Sequence, residues 1–404
     1  MSGGSGHDTI SANVASHYSH RSVAVFFLLT FFSIYSLLHV YVFLRIRSAF
    51  TLGTVPIIVL ICFMAVMVSA PVLVRMAENR GLEVLARVLS FVGFTWLGLV
   101  FLFCITAFGV DLYRLLVSGL GLILRTDLSH LYPSPYLAFF IPLLVTAGIA
   151  VYGSFEARAI RSEEVVIKSP KVPEGVGTFT IVQISDVHVG LIVREGRLER
   201  IIEEVKRAKP DLLISTGDLV DGQIDNLKGL AELLDTVQPR YGKLGVTGNH
   251  EFYAGIDQAM RFSEKAGFRV LRGEAQEVAG FMTIGGVDDR TGKRFGLFHG
   301  PEEGVLLKSV PRRRFTILLK HEPIMAKDAA GLFDLQLSGH THKGQIFPFN
   351  YIVKIFYPYD AGLFHLPHHA FLYVSRGSGT WGPPFRFLAP PEVTIIRLVH
   401  AENS

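Results

Sequence analysis

The stretch Phe179-Thr180-Ile181-Val182-Gln183-Ile184-Ser185-Asp186-Val187-His188 decides how this chain is read. A short run rich in β-branched and aromatic residues ends at a carboxylate and an imidazole two positions apart. Such a run, bounded by polar groups, has the signature of a buried strand. The pattern returns downstream. Leu212–Ser215 leads into Gly217-Asp218, and Leu244–Thr247 into Gly248-Asn249-His250-Glu251. Phe315–Leu319 leads into Lys320-His321-Glu322, and Leu335–Leu337 into Gly339-His340-Thr341-His342. Between the first two runs, Leu198, Ile201, Ile202 and Val205 recur at helical spacing among charged residues, and Pro210 closes the pattern. That is an amphipathic crossover helix. Strand–helix–strand order predicts an α/β domain. In open α/β sheets, functional groups gather beyond the carboxyl ends of the strands. Segments far apart in sequence are therefore expected to meet at one sheet edge.

Those segments offer carboxylate, amide and imidazole groups and no thiolate. The set suits two hard or borderline divalent ions rather than a Cys-rich structural zinc. Two ions about 3.5–4 Å apart could clamp a phosphoryl group and generate hydroxide at neutral pH. Manganese, zinc and iron all accept such ligands. The chain has two cysteines, Cys62 and Cys104, both in the apolar first half. No disulfide can form in the second half, which fits a reducing compartment. The net charge of +4 is small, and Arg312-Arg313-Arg314 is the one basic block. No nucleic-acid partner is expected.

Half of the 404 residues are hydrophobic and 18% are charged, too apolar for an ordinary soluble protein. The excess lies before residue 156. Ser22–Leu44, Ser48–Val74, Val88–Val110 and Leu128–Phe155 contain no Asp, Glu, Lys or Arg. Each is long enough for a hydrocarbon core that takes about 20 helical residues. Four spans are predicted, over 22–44, 52–74, 88–110 and 136–155, making 1–155 a membrane domain. Leu115–Leu124 is a shorter uncharged run, read as an interfacial or re-entrant piece or an extension of the third span. Residues 156–177 carry charges, prolines and glycines and are expected to be a linker to a catalytic domain over 178–404. One side of the bilayer receives Arg21, Arg75, Arg80, Arg87, Arg158, Arg161, Lys168 and Lys171. The other receives Arg45, Arg47 and Arg125, with Arg114 near its boundary. The positive-inside rule places the first side, with the catalytic half, in the cytoplasm.

The order Asp-x-His, Gly-Asp-x-x-Asp, Gly-Asn-His-Glu, a lone His and then Gly-His-x-His resembles the signature of the calcineurin-like metallophosphoesterase superfamily. The resemblance covers about 178–400. Gly339-His340-Thr341-His342-Lys343-Gly344-Gln345, Ser375-Arg376-Gly377-Ser378-Gly379 and Pro390-Pro391-Glu392 are similar to a bacterial, often membrane-associated branch. It implies two mixed sheets sandwiched by helices, with a di-metal site at one end. Matched residue by residue, it gives one metal Asp186, His188 and His342. It gives the second Asn249, His321 and His340, with Asp218 bridging. His250 matches a catalytic histidine that contacts phosphoryl oxygens and protonates the leaving oxygen. Asp221 matches a carboxylate that orients it. Glu251 reads as structural. His299, His365, His368 and His369 match nothing in the pattern.

The expected activity is hydrolysis of a phosphodiester or pyrophosphate by a multi-pass protein of a bacterial inner membrane. A protein Ser/Thr phosphatase would carry Arg after the second Asp, where this chain has Gly222. The membrane domain favours a lipid-linked substrate, and some bacterial relatives cleave a lipid-linked pyrophosphate. A soluble small-molecule substrate, or a non-enzymatic receptor that keeps the fold, are the alternatives. The segment 346–359, with Phe347, Phe349, Tyr351, Ile352, Ile355, Phe356 and Tyr357, follows the last ligands directly. It reads either as a core strand and loop or as an apolar rim facing lipid.

Overall fold

The computed structural model describes residues 6–222, 227 and 229–402, so the extreme ends of the expected domains lie outside the described residues. Four long helices come first: α1 (Gly6–Ala49), α2 (Thr54–Asn79), α3 (Glu83–Leu124) and α4 (Pro135–Glu156). Each contains a segment long and apolar enough to cross a membrane. Large side chains such as Leu44, Ile58, Leu122 and Leu144 stand exposed along them, the inverse of a water-soluble bundle. Helix α3 runs for 42 residues. At 1.5 Å per residue that is about 63 Å, roughly twice the hydrocarbon thickness. Leu115–Leu124 is therefore an extension of the third helix, which carries Asp111 and Arg114 within it and has no proline to break it. Helix α4 starts on Pro135, where a missing N–H leaves no bond unmade.

The chain divides into two compact units, Met1–Leu73 with Trp96–Gly148, and Val74–Thr95 with Ile149–Ser404. In the first, the Trp96 indole donates to His39 Nε2 at 2.9 Å. Arg45 pairs with Asp111 there, and Tyr41 donates to the same carboxylate at 2.6 Å. Paired in this way, polar groups are tolerated among apolar helices.

The second unit holds two six-stranded sheets. The strands are β1 (Arg161–Ser169), β2 (Thr178–Ile184), β3 (Leu212–Ser215), β4 (Lys243–Gly245), β5 (Phe268–Val270), β6 (Glu274–Val278), β7 (Met282–Gly286), β8 (Phe315–Leu319), β9 (Leu335–Ser338), β10 (Gly362–His365), β11 (Phe371–Val374) and β12 (Glu392–His400). One sheet has the order β1-β12-β2-β3-β4-β5, the other β10-β11-β9-β8-β7-β6. Both are mixed. Strands β2 to β5 run parallel while β12 lies antiparallel to β2. In the other sheet β11, β9, β8 and β7 are parallel and are flanked by antiparallel β10 and β6.

The shorter helices are α5 (Glu195–Arg207), α6 (Leu230–Asp235), α7 (Asn249–Ala254), α8 (Ile256–Lys265), α9 (Thr291–Phe295), α10 (Glu303–Lys308) and α11 (Phe349–Phe356). Helix α5 buries Leu198, Ile201, Ile202 and Val205, as its spacing predicts. With Ala259 and Phe262 of α8, these cover one face of the first sheet. Its other face, through Ile181, Leu212, Ile214 and Leu244, packs on Ile284, Ile317, Leu319 and Leu337 of the second sheet. Leu307, Ala329 and Phe333 cover the far side, against Leu318 and Leu372. The result is the expected sandwich of two mixed sheets between helices.

Strand β1 corrects the linker reading of 156–177. Its register pairs Arg161 with Glu392 and Ser169 with His400, in parallel. Val165 and Ile167 turn inward while Glu164 and Lys168 stay exposed, the pattern of a charged edge strand. Only residues 157–160 separate it from α4.

Candidate metal centre

Every expected ligand lies on the turn that follows a strand or at the start of the next helix. Asp186 and His188 follow β2, Asp218 follows β3, and Asn249 and His250 open α7 after β4. His321 follows β8, and His340 and His342 follow β9. The chain must turn sharply there. Asp186, His188, Asp218, His340 and His342 all have φ between 49° and 73°. Non-glycine residues hold that left-handed conformation only where surrounding bonds enforce it, and such strain gathers at functional sites.

The bonds are present. Asp186 accepts from the His340 N–H through both oxygens at 3.0 Å, joining the ends of β2 and β9. Glu251 is fully buried and accepts from the N–H groups of Asp218 (3.0 Å), Leu219 (2.8 Å) and Gly248 (2.6 Å). It braces two ligand loops, as its structural reading anticipated. Gly248 and Gly339 are required by close approach. A Cβ on the first would collide with the Asp218 carboxylate, and one on the second with Ser185 and Asp186.

The side chains converge in two sets. In the first, His188 Nε2 and His342 Nε2 are 3.1 Å apart, and Asp186 Oδ1 is 3.3 Å from the latter. In the second, His340 Nδ1 lies 3.2 Å from His321 Nε2 and 3.1 Å from Asn249 Oδ1. Asp218 Oδ2 faces both, at 3.2 Å from His321 Nε2 and 3.7 Å from His188 Nε2. Its Oδ1 accepts the His250 N–H at 2.8 Å. The geometry therefore turns one oxygen, not two, toward both sets.

These contacts test the fit of a cation. The His321 Nδ1 proton goes to the Thr216 carbonyl at 2.7 Å, leaving a lone pair on Nε2. His340 Nε2 is bonded to the Tyr357 hydroxyl at 2.8 Å, which leaves Nδ1 as the inward atom. Ring nitrogens and carbonyl or carboxylate oxygens then face one another, mostly acceptor to acceptor. Donors about 3.0–3.4 Å apart match neighbouring vertices of a coordination shell with bonds of about 2.1 Å. The buried clusters fit a two-metal site.

Protonation agrees for most of the set. Burial alone would push the carboxyls of Asp186, Asp218 and Asp221 upward, but the adjacent imidazoles hold all three below the usual carboxylate range. Burial lowers His342 to about 4 and lowers His340 as well, leaving both neutral, as ligands must be. His321 is the exception. Burial opposes its charge, yet Asp218 and Asp186 favour the protonated ring, so a cation there displaces a proton.

His250 stands beside the sets, its ring edge-on to His188 with centroids 4.6 Å apart. Its Nδ1 bonds the Asp221 carbonyl and lies 3.2 Å from the Asp221 carboxylate. The same carboxylate oxygen is 3.4 Å from His188 Nδ1, so the Asp221 charge lies beside two rings. Burial works against the charged His250, but Asp218 and Asp221 outweigh it and raise the group to about 9.

Asp289 and Arg290 escaped the sequence reading, and Tyr357 entered it only as part of the apolar segment 346–359. The Tyr357 hydroxyl sits between His340 and Glu322, 3.3 Å from Glu322 Oε1, and Arg290 pairs with that carboxylate. Asp289 is buried with its Oδ2 unpartnered, and its charge reaches His321 and His340. Asp289 and Arg290 follow β7, so the strand-end rule could have found them. Tyr357 had no such signal. His299, His365, His368 and His369 belong to none of the ligand groups among the described residues.

The same region of the chain is similar to known proteins. The family model for calcineurin-like phosphoesterase matches residues 179–344. An uncharacterized metallophosphoesterase of Aquifex aeolicus is 42% identical over 257 residues, which is 63% of this chain and 98% of its own length. A transmembrane protein with metallophosphoesterase domain from Danio rerio is 30% identical over 325 residues, covering 76% of this chain and 74% of its own. A Bacillus subtilis metallophosphoesterase, also uncharacterized, is 34% identical and is covered over 89% of its length. The Danio rerio relative is named as a transmembrane protein, and four candidate membrane helices precede the domain here. With matched motifs, matched fold and convergent buried donors, the chain belongs to the calcineurin-like metallophosphoesterase family.

Proposed function

We propose that this protein is a membrane-anchored binuclear phosphohydrolase that cleaves a phosphodiester or pyrophosphate borne by a lipid. The hydrolytic part rests on Asp218 Oδ2 facing both donor sets. Asp186, His188 and His342 would hold one ion, and Asn249, His321 and His340 the other, with Asp218 between. Two divalent ions, manganese, zinc or iron, would supply Lewis acidity to the phosphoryl oxygens and to an attacking water. The protein contributes the proton. Asp221 engages His250 Nδ1, which makes Nε2 the donating atom. The Asp221 carboxylate beside Nδ1 favours the protonated ring, which would give its proton to the leaving oxygen. No protein nucleophile takes part.

The lipid part rests on the short tether. Four residues separate α4 from strand β1, so the catalytic sheet starts beside the end of a membrane helix. Charge placement favours the cytoplasmic face of a bacterial inner membrane. The test is hydrolysis by the full chain in nanodiscs, with each metal in turn. It compares a chromogenic diester, a lipid-linked pyrophosphate and soluble nucleotides. Metal-dependent turnover with highest kcat/KM on the lipid-linked substrate is expected. Activity that resists chelators would remove the hydrolase mechanism, and preference for soluble nucleotides would remove the lipid assignment.

A further inference from the structure

Helix α11 is built the wrong way round for a water-soluble domain. Amphipathic α5 and α8 of the same unit bury their apolar residues. Helix α11 buries none of its residues. Ile355 is 76% exposed, Phe356 69% and Tyr351 62%, with Ile352 beside them. Contiguous exposed apolar surface of this kind marks a contact with something outside the domain.

Neighbouring contacts say what that is. The Phe347 N–H donates to the Phe387 carbonyl at 3.0 Å, and the Phe387 N–H to the Gln345 carbonyl at 2.9 Å. This zips the start of the α11 segment to a second loop. That loop reaches α4. The Phe387 ring lies 6.0 Å from the ring of Tyr152, and the Arg386 N–H donates to the Gly153 carbonyl at 3.1 Å. Tyr152 and Gly153 belong to the last turn of α4, a helix long and apolar enough to cross a membrane. The exposed apolar helix thus begins one aromatic contact away from the end of a membrane span.

We infer that α11 is an interfacial helix whose apolar residues seat in the headgroup and upper acyl layer of the bilayer that α4 crosses. A short amphipathic helix at a membrane surface buries its apolar face about 5–10 Å deep. Tyr351 suits the interface, where a ring with a polar tip is favoured. Helix α11 leads within one residue to Tyr357, whose hydroxyl holds His340. The seated helix would therefore fix one wall of the metal centre against the lipid surface. This inference needs the membrane helices but not a lipid-linked substrate.

The experiment uses the full chain with Cys62→Ser and Cys104→Ser, reconstituted in phosphatidylcholine–phosphatidylglycerol nanodiscs. Spin labels are placed by Ile355→Cys or Phe356→Cys, with Arg207→Cys on the exposed side of α5 as the aqueous reference. Power saturation reads collisions with oxygen, which concentrates in lipid, and with a water-soluble nickel chelate. Labels at 355 and 356 should show an oxygen-to-nickel ratio several-fold above that at 207. Equal ratios would overturn the inference. So would labels shielded from both reagents, which would mean that protein covers the helix, as in a pair of chains. Because activity is not read, a lipid-exposed label alongside a preference for soluble substrates would overturn only the substrate proposal.

Discussion

Asp218 serves two purposes through two oxygens: Oδ2 faces both donor sets, and Oδ1 holds the backbone N–H of His250. Asp218→Asn keeps the shape but removes the charge between the sets. It should abolish hydrolysis and reduce bound metal below two equivalents, measured by elemental analysis of the purified chain. His250→Ala should lower kcat by about 10²–10⁴, the range for a general acid, with both metals retained. Metal loss from the His250 variant would show that its role is coordination instead. Tyr357→Phe removes the hydroxyl between His340 and Glu322 while leaving the ring. Removal of an outer partner typically costs about 10–100-fold in metal affinity. Calorimetric titration should show weakening at one site and not at the other. Unchanged affinity at both would leave Tyr357 as packing alone.

Among the elements, the loops after β3 and β4 depend on a single buried carboxylate. Glu251 accepts from the backbone N–H groups of Asp218, Leu219, Val220 and Gly248 and is buried. Burial and the Asp218 charge raise its carboxyl group, while these bonds oppose the shift. Glu251→Gln replaces one acceptor with an NH₂ that faces N–H donors. Losing a buried charged hydrogen bond costs about 1.5–3 kcal/mol. The variant should unfold at lower temperature and bind metal more weakly, because Asp218 and Asn249 lose a common brace. A melting curve unchanged from the parent would contradict this. Helix α5 was legible from periodicity because Leu198, Ile201, Ile202 and Val205 answer only to the helical repeat. Strand β1 was not, because an edge strand carries charges and its partner β12 lies over 200 residues later.

For the whole molecule, we propose that the four candidate membrane helices put both chain ends on one side and that the positive charges select the cytoplasm. A C-terminal alkaline phosphatase fusion expressed in bacteria should be inactive, and a fluorescent-protein fusion bright. An active phosphatase fusion would reverse the topology. The sequence by itself determined the membrane helices, the α/β class and the choice of donor atoms. Hydrocarbon length, strand periodicity and ligand chemistry are local properties, written in neighbouring residues. Tertiary structure alone decided which oxygen of Asp218 faces both sets and that the Asp221 carboxylate lies beside two rings. It also brought the Tyr357 hydroxyl to His340 and turned α11 outward. Those are distances between segments that only sheet pairing and sandwich packing bring within reach, and no local pattern in the chain encodes them.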